Sequence, residues 1–208
     1  MIIPVRRWFC AMAALMLTAC ASEPARYHTL APLDYDRQAS PPAPAPFLLE
    51  VLPVRVPVEA DRLELVVRQG GSIALIESER WAATLGEEFQ DAFSATLSSK
   101  LGAQNVSGFT HPLGKPVLRV KLIVRRFESV PGQYALIDAD WSIGLADKEE
   151  KGRLLCNSQL RIPVKNGYRN LVDGHRKLID RLAGQIASRA RDFPRSASQA
   201  CPSDSARI

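Results

Sequence analysis

Tyr134-Ala135-Leu136-Ile137-Asp138-Ala139-Asp140-Trp141-Ser142-Ile143-Gly144-Leu145 decides how this chain of 208 residues folds. Ile137, Ala139, Trp141, Ile143 and Leu145 alternate with Asp138, Asp140 and Ser142. A period of two marks a strand with one dry and one wet face. Residues 116–127 share that period, with Leu118, Val120, Leu122 and Val124 on one side and Arg119, Lys121 and Arg125 on the other. Residues 154–164 repeat it with Leu154, Cys156, Leu160 and Ile162 inward. Clean alternation in successive strands implies an antiparallel sheet with one solvated face. The outward aspartates complement the basic strand before them, at about 0.2–1 kcal/mol per cross-strand pair.

That sheet needs a cover, and two amphipathic segments supply one. Over residues 80–101, Trp81, Leu85, Phe89, Phe93, Leu97 and Leu101 recur every fourth residue, and Gly102 falls where a helix would close. In the second, Asn170 is placed as a cap and Asp173 in the first turn. Leu171, His175, Leu178, Leu182, Ile186 and Phe193 follow, and Pro194 stops the run. Upstream, residues 26–30 and 47–54 read as strands, and Gly70-Gly71 joins strands at 63–68 and 72–78 in a hairpin. The fold expected is α+β: a two-layer sandwich, mostly antiparallel, with both helices packed on one face.

The chain begins differently. Arg6 and Arg7 precede an apolar run over residues 8–17, then Thr18, Ala19 and Cys20. Charged, apolar and small-residue regions in that order read as a secretory signal. The run is shorter than the roughly 20 residues that span a bilayer. Leu17-Thr18-Ala19-Cys20 resembles the lipobox of bacterial lipoproteins, which implies cleavage before Cys20 and acylation of its thiol. The organisation expected is a signal over 1–19, an anchor, short strand and proline-rich connector over 20–46, one domain over 47–193 and a tail over 194–208. Of 27 basic and 22 acidic residues, only two arginines leave with the signal, so the mature chain carries +3. The charges are interspersed, which together with export argues against nucleic acid.

The chemistry of an enzyme is not legible. The chain has no Gly-x-Ser-x-Gly elbow, phosphate loop or His-Glu-x-x-His helix. His28, His111 and His175 stand apart in sequence, Asp138 and Asp140 are accounted for by the basic strand, and Glu87-Glu88 reads as a solvated helix side. No catalytic residue, metal site or cofactor is expected. Export places the remaining cysteines in an oxidising compartment. Cys156 and Cys201 either form a disulfide that pins the tail or stand as one buried and one free thiol.

Several segments together resemble a family. Tyr27-His28-Thr29-Leu30 resembles its Tyr-Tyr-x-Leu opening. Val54-Arg55-Val56-Pro57, Asp61-Arg62 and Leu65-Val66-Val67-Arg68 resemble its central signature, and Glu79-Arg80-Trp81-Ala82 with Leu85 the start of its first helix. Ala139-Asp140-Trp141 and the last helix follow in order. These are similar to the PqiC-like auxiliary lipoproteins of ABC/MCE transport systems. His28 departs from the usual aromatic, and Leu63 from the proline after Asp-Arg. The resemblance implies a lipoprotein anchored through Cys20 in the outer membrane, facing the periplasm, in a system that moves phospholipid between membranes. Its partners would be an MCE-domain protein and an ABC permease and ATPase, and a homo-oligomer receiving the MCE tunnel is a corollary. Ala21 in place of an aspartate favours the outer membrane. Arg62, Arg80 and Trp81 are the partner-binding candidates. The alternative is a general outer-membrane assembly or envelope-integrity lipoprotein with no lipid-transport role.

Overall fold

A computed structural model of the chain describes residues 24–32, 43–111, 114–147, 153–193 and 201–202. The signal, Cys20, most of the proline-rich connector and the tail apart from Cys201 and Pro202 lie outside the described residues. Among the described residues nine elements follow in order: β1 (Arg26–His28), β2 (Leu48–Val51), β3 (Glu64–Gln69), β4 (Ser72–Trp81), α1 (Leu85–Leu101), β5 (Val117–Val130), β6 (Tyr134–Leu145), β7 (Leu154–Pro163) and α2 (Tyr168–Asp192).

The three long strands form the antiparallel set that their alternation requires. Leu122 faces Trp141, and Trp141 faces Cys156. The inward residues of β5 and β6, from Leu118 to Val124 and from Ile137 to Ile143, are buried almost completely. Leu171, Leu178, Leu182 and Ile186 of α2 and Phe89, Phe93 and Leu97 of α1 join them in one core. The helices also touch each other, with Lys100 Nζ 2.7 Å from Asp180.

The α+β class holds, but the strands divide between two sheets. Four order as β2-β5-β6-β7 and three as β1-β4-β3. Each sheet has one parallel pair, β2 with β5 and β1 with β4. The two meet where Arg68 of β3 reaches Glu128 of β5 at 3.3 Å. The first helix starts later than its apolar stripe suggests. β4 runs through Trp81, and Thr84 begins the helix with a capping box to Glu87. The last helix starts earlier, after Gly167, so Asn170 is not its cap and instead donates to Asn166 O. Cys156, at the edge strand β7, is bonded to Cys201 with a Cα separation of 5.5 Å. A crosslink across 45 residues contributes about 2–4 kcal/mol.

The β5–β6 turn shows how tightly register is held. Val130 faces Tyr134, and Gln133 N donates to Val130 O at 3.0 Å. Gly132 has a φ of 72° there, and a Cβ on it would lie 1.9 Å from Asn166 Oδ1. Gly132→Ala should therefore lower stability by at least the ~1–3 kcal/mol of a strained non-glycine backbone. Chemical denaturation measures this, and an unchanged midpoint would show that the loop at Asn166 yields freely.

Candidate interaction site

Two of the signature segments, residues 54–57 and 61–62, are held beside the start of α1. Ala60 N and Asp61 N both donate to Pro57 O, closing a tight turn. That turn brings Asp61 to the start of α1, where its Oδ1 accepts from Gly86 N at 2.9 Å. A carboxylate at a helix N-terminus meets both an unpaired N–H and the positive end of the helix dipole. On the other side, Val54 N donates to Gln90 Oε1 at 2.7 Å. The segment 54–61 is thus strapped to α1 at two points. Between strap and helix lies a groove of about 1000 Å³ with Leu52, Pro53 and Val54 on one wall and Thr84, Glu87, Gln90 and Asp91 on the other.

The groove is acidic. Glu50, Asp61, Glu87 and Asp91 line it. Burial pushes the Glu50 carboxyl up, but the hydrogen bond and charge of Arg119, aided by His111, outweigh it and hold the group below its ordinary range. Glu50 therefore stays ionised. Val58 within the turn and Leu63 after it are exposed. Such a surface offers negative charge and a few apolar points to an approaching partner.

The three candidate residues have different fates here. Arg62 is exposed beside the turn. Arg80 is half-buried and paired with Glu64 at 3.7 Å. Its Nε donates to Glu77 O, fastening an irregularity in β4 between the register positions Ile76 and Arg80. Trp81 is 1% exposed and lies edge-on to Phe127 in the core. Arg80 and Trp81 thus hold the end of β4 and do not line the groove, and Arg62 is the one of the three that is fully exposed.

Two buried carboxylates, not read as site residues from the sequence, hold the chain where it enters the domain. Glu79, 1% exposed, receives Arg26 at 3.3 Å and His28 at 2.5 Å. Glu88, 7% exposed, accepts from Thr29 Oγ1 and Leu30 N, each at 2.7 Å. Arg176 of α2 completes the clasp by donating to Thr29 O. Glu88 is therefore not on a solvated side. The signal was present: it stands three residues from Leu85 and four from Ala92, on the buried stripe.

Among the described residues, a serine–histidine pair lies inside the core. Ser129 Oγ and His175 Nε2 are 2.8 Å apart, and His175 stacks on Phe127 at 3.9 Å. His175 is fully buried, and its Nδ1 has no partner among the described residues. The cavity beside Ser129 measures about 50 Å³, room for a water or two rather than a substrate. Burial pushes the imidazole down to about 3, so it stays neutral. Among the described residues there is no cluster that could hold a metal ion, and no helix is long and apolar enough to cross a membrane.

Comparison with known proteins then bears on the whole chain. The family model described as ABC-type transport auxiliary lipoprotein component matches residues 28–187. A crystal structure described as an uncharacterized protein is 20% identical, covering 81% of this chain and 99% of its own, with a TM-score of 0.62. A Xanthomonas campestris protein of family DUF330 is 16% identical, covering 76% of this chain and 93% of its own, with a TM-score of 0.58. At these identities the two structures speak for the fold. Among curated proteins nothing matches.

Two outcomes test the geometry. Glu88→Ala strands the buried Leu30 N–H, so the chain should lose about 1–3 kcal/mol. Limited proteolysis should then cut near residue 30 first, and uniform resistance there would contradict the clasp. His175 gives a pH signature. Unfolded, it binds a proton below about 6.5, whereas folded it does not until about 3. Stability is thus complete above pH 6.5 and falls on acidification by about 1.4 kcal/mol per unit. Between pH 6.5 and 5, above the ordinary carboxylate range, urea titrations should show that slope in the native chain and not in His175→Gln. A flat profile in both would refute it.

Proposed function

The chain belongs to the ABC-type transport auxiliary lipoprotein family, and from that premise we propose that it is a non-enzymatic docking subunit, lipid-anchored through Cys20 at the periplasmic face of the outer membrane. It serves the outer-membrane end of an ABC/MCE-type system that moves phospholipid between the two membranes. Its partners are the MCE-domain protein and, through it, the permease and ATPase.

What supports this reading is the gathering of the signature segments. Val54 and Asp61, from two of those segments, both bond to the first turns of α1 and line one acidic groove there, and residues 79–82 lead into that helix. The groove serves as the docking surface, with Arg62 on its exposed edge. The clasp on β1 serves the anchor. Residues 21–25 reach at most about 17 Å, and the strand after them is held to both helices and to β4. The domain is therefore oriented on its membrane rather than swinging from it.

Cross-linking in cells followed by purification of the chain tests the reading. An MCE-domain protein should be enriched over unrelated lipoproteins. Arg62→Glu should reduce that recovery without changing thermal stability, and Cys20→Ala should abolish it while leaving a folded domain. Recovery of envelope-assembly proteins with no MCE or ABC component would overturn the proposal in favour of a general assembly role.

A further inference from the structure

The outer face of the four-stranded sheet is not uniformly polar. Arg119 faces Gly144, whose bare Cα lies under the stem of Arg153: a Cβ there would be 2.8 Å from Arg153 Cγ. In the next row Lys121 faces Ser142, and Ser142 faces Leu155. Then Ile123 faces Asp140, and Asp140 faces Asn157. The central strand thus offers only the short Ser142 between Lys121 and Leu155, while the Arg153 stem takes the space over Gly144. The result is a trough of about 650 Å³ between β5 and β7, closed at the β7 edge by the Cys156–Cys201 disulfide. That volume lies within the range of about 300–1,000 Å³ typical of small-molecule sites.

The lining has two characters. Leu155, on the solvent side of an edge strand, is 72% exposed, and it joins Ile123 and the disulfide as an apolar wall. Lys121, Arg125 and Arg153 surround that wall against a single acid, Asp140. Arg125 and Asp140 neutralise each other at 2.8 Å. Among the described residues Lys121 and Arg153 form no ion pair, so two uncompensated cations flank an apolar slot. A free phosphate would leave the apolar wall wet. A neutral chain would leave both cations unmatched.

We propose that this trough binds an anionic phospholipid, one acyl chain over Ser142 against Leu155 and Ile123, and the headgroup phosphate between Lys121 and Arg153. The site rests on the transport reading in taking a membrane lipid as its ligand, and it makes the chain a handler of lipid rather than only a dock.

The test uses the mature acylated chain in phosphatidylethanolamine vesicles doped with phosphatidylglycerol that carries a diazirine at its acyl terminus. After irradiation, peptide mapping should place the label on residues 117–125 and 153–157. Lys121→Glu with Arg153→Glu should cut labelling about tenfold or more, since each cation near an anionic lipid is worth about a kilocalorie per mole. Ser142→Trp, which fills the trough without entering the core, should do the same at an unchanged melting temperature. Equal labelling by a phosphatidylcholine probe, or label spread over other surfaces, would overturn the proposal. So would a Leu155→Glu variant that loses an oligomer while its labelling persists, because the trough would then belong to a second copy. Absent labelling with partner capture intact refutes the lipid site alone. Labelling in the trough with no transport partner recovered upholds the site and removes the transport reading.

Discussion

The inward face of β5, β6 and β7 must be kept from water, and the rest of the molecule is arranged around that need. Leu118, Val120, Leu122, Ile137, Ala139, Trp141 and Ile143 are all buried. At roughly 25 cal/mol per Å² of apolar surface, such a face outweighs every surface ion pair in the chain. It also sets register. A slip of one residue would put Arg119, Lys121 and Asp140 into the core. The helices lie where they do because each has one stripe to bury, and the cover extends to the smaller sheet through an aromatic contact: Phe127 of β5 meets both Trp81 of β4 and Phe89 of α1 edge-on.

That constraint explains which parts of the fold could be read from the chain. Alternation is local, so β6 is legible to its end residues and β7 nearly so. Pairing between distant segments is not local. β2 lies parallel to β5 across some 65 residues, and nothing in residues 47–54 says which strand they join. The division into two sheets has the same origin. Helix boundaries failed for another reason. Trp81 happens to fall in step with the α1 stripe, yet it belongs to the buried end of β4. The better signal was Thr84-x-x-Glu87, a capping box three residues on. Gly174 is a case where propensity misleads outright. It costs about 1 kcal/mol in a helix interior, but a Cβ there would sit 2.6 Å from Val164 Cγ1, so close approach of α2 to the sheet demands it.

The candidate site was legible as a set of segments and not as a geometry. Asp61 and Glu79 stood inside the signature motifs, and their roles appear only when the loop meets α1 and when β1 meets β4. Glu79 and Glu88 also show why acids are buried here. An ionised group removed from water is costly unless fully partnered. Leu30 N is a buried backbone donor that must find an acceptor, and Glu88 supplies it with an oxygen that also takes the Thr29 hydroxyl. A leucine at position 88 would pack as well against the stripe and leave that donor orphaned. The clasp therefore trades core hydrophobicity for a specified position of the chain entering the domain.

Net charge would have been a poor guide to what this surface meets. The chain's small positive excess averages over two opposed regions. Among the described residues, three carboxylates without an ion pair, Asp61, Glu87 and Asp91, line the groove at α1, and two cations without one, Lys121 and Arg153, flank the trough on the outer sheet. At physiological ionic strength fields between exposed charges fade over about 8 Å. A ligand at either place therefore responds to the charges that line it and not to the chain's total. The groove repels an anionic headgroup and the trough attracts one. A partner protein and a lipid could thus occupy the same molecule without competing, each excluded from the other's place by local charge, while the dry face between the layers holds the two places in fixed relation.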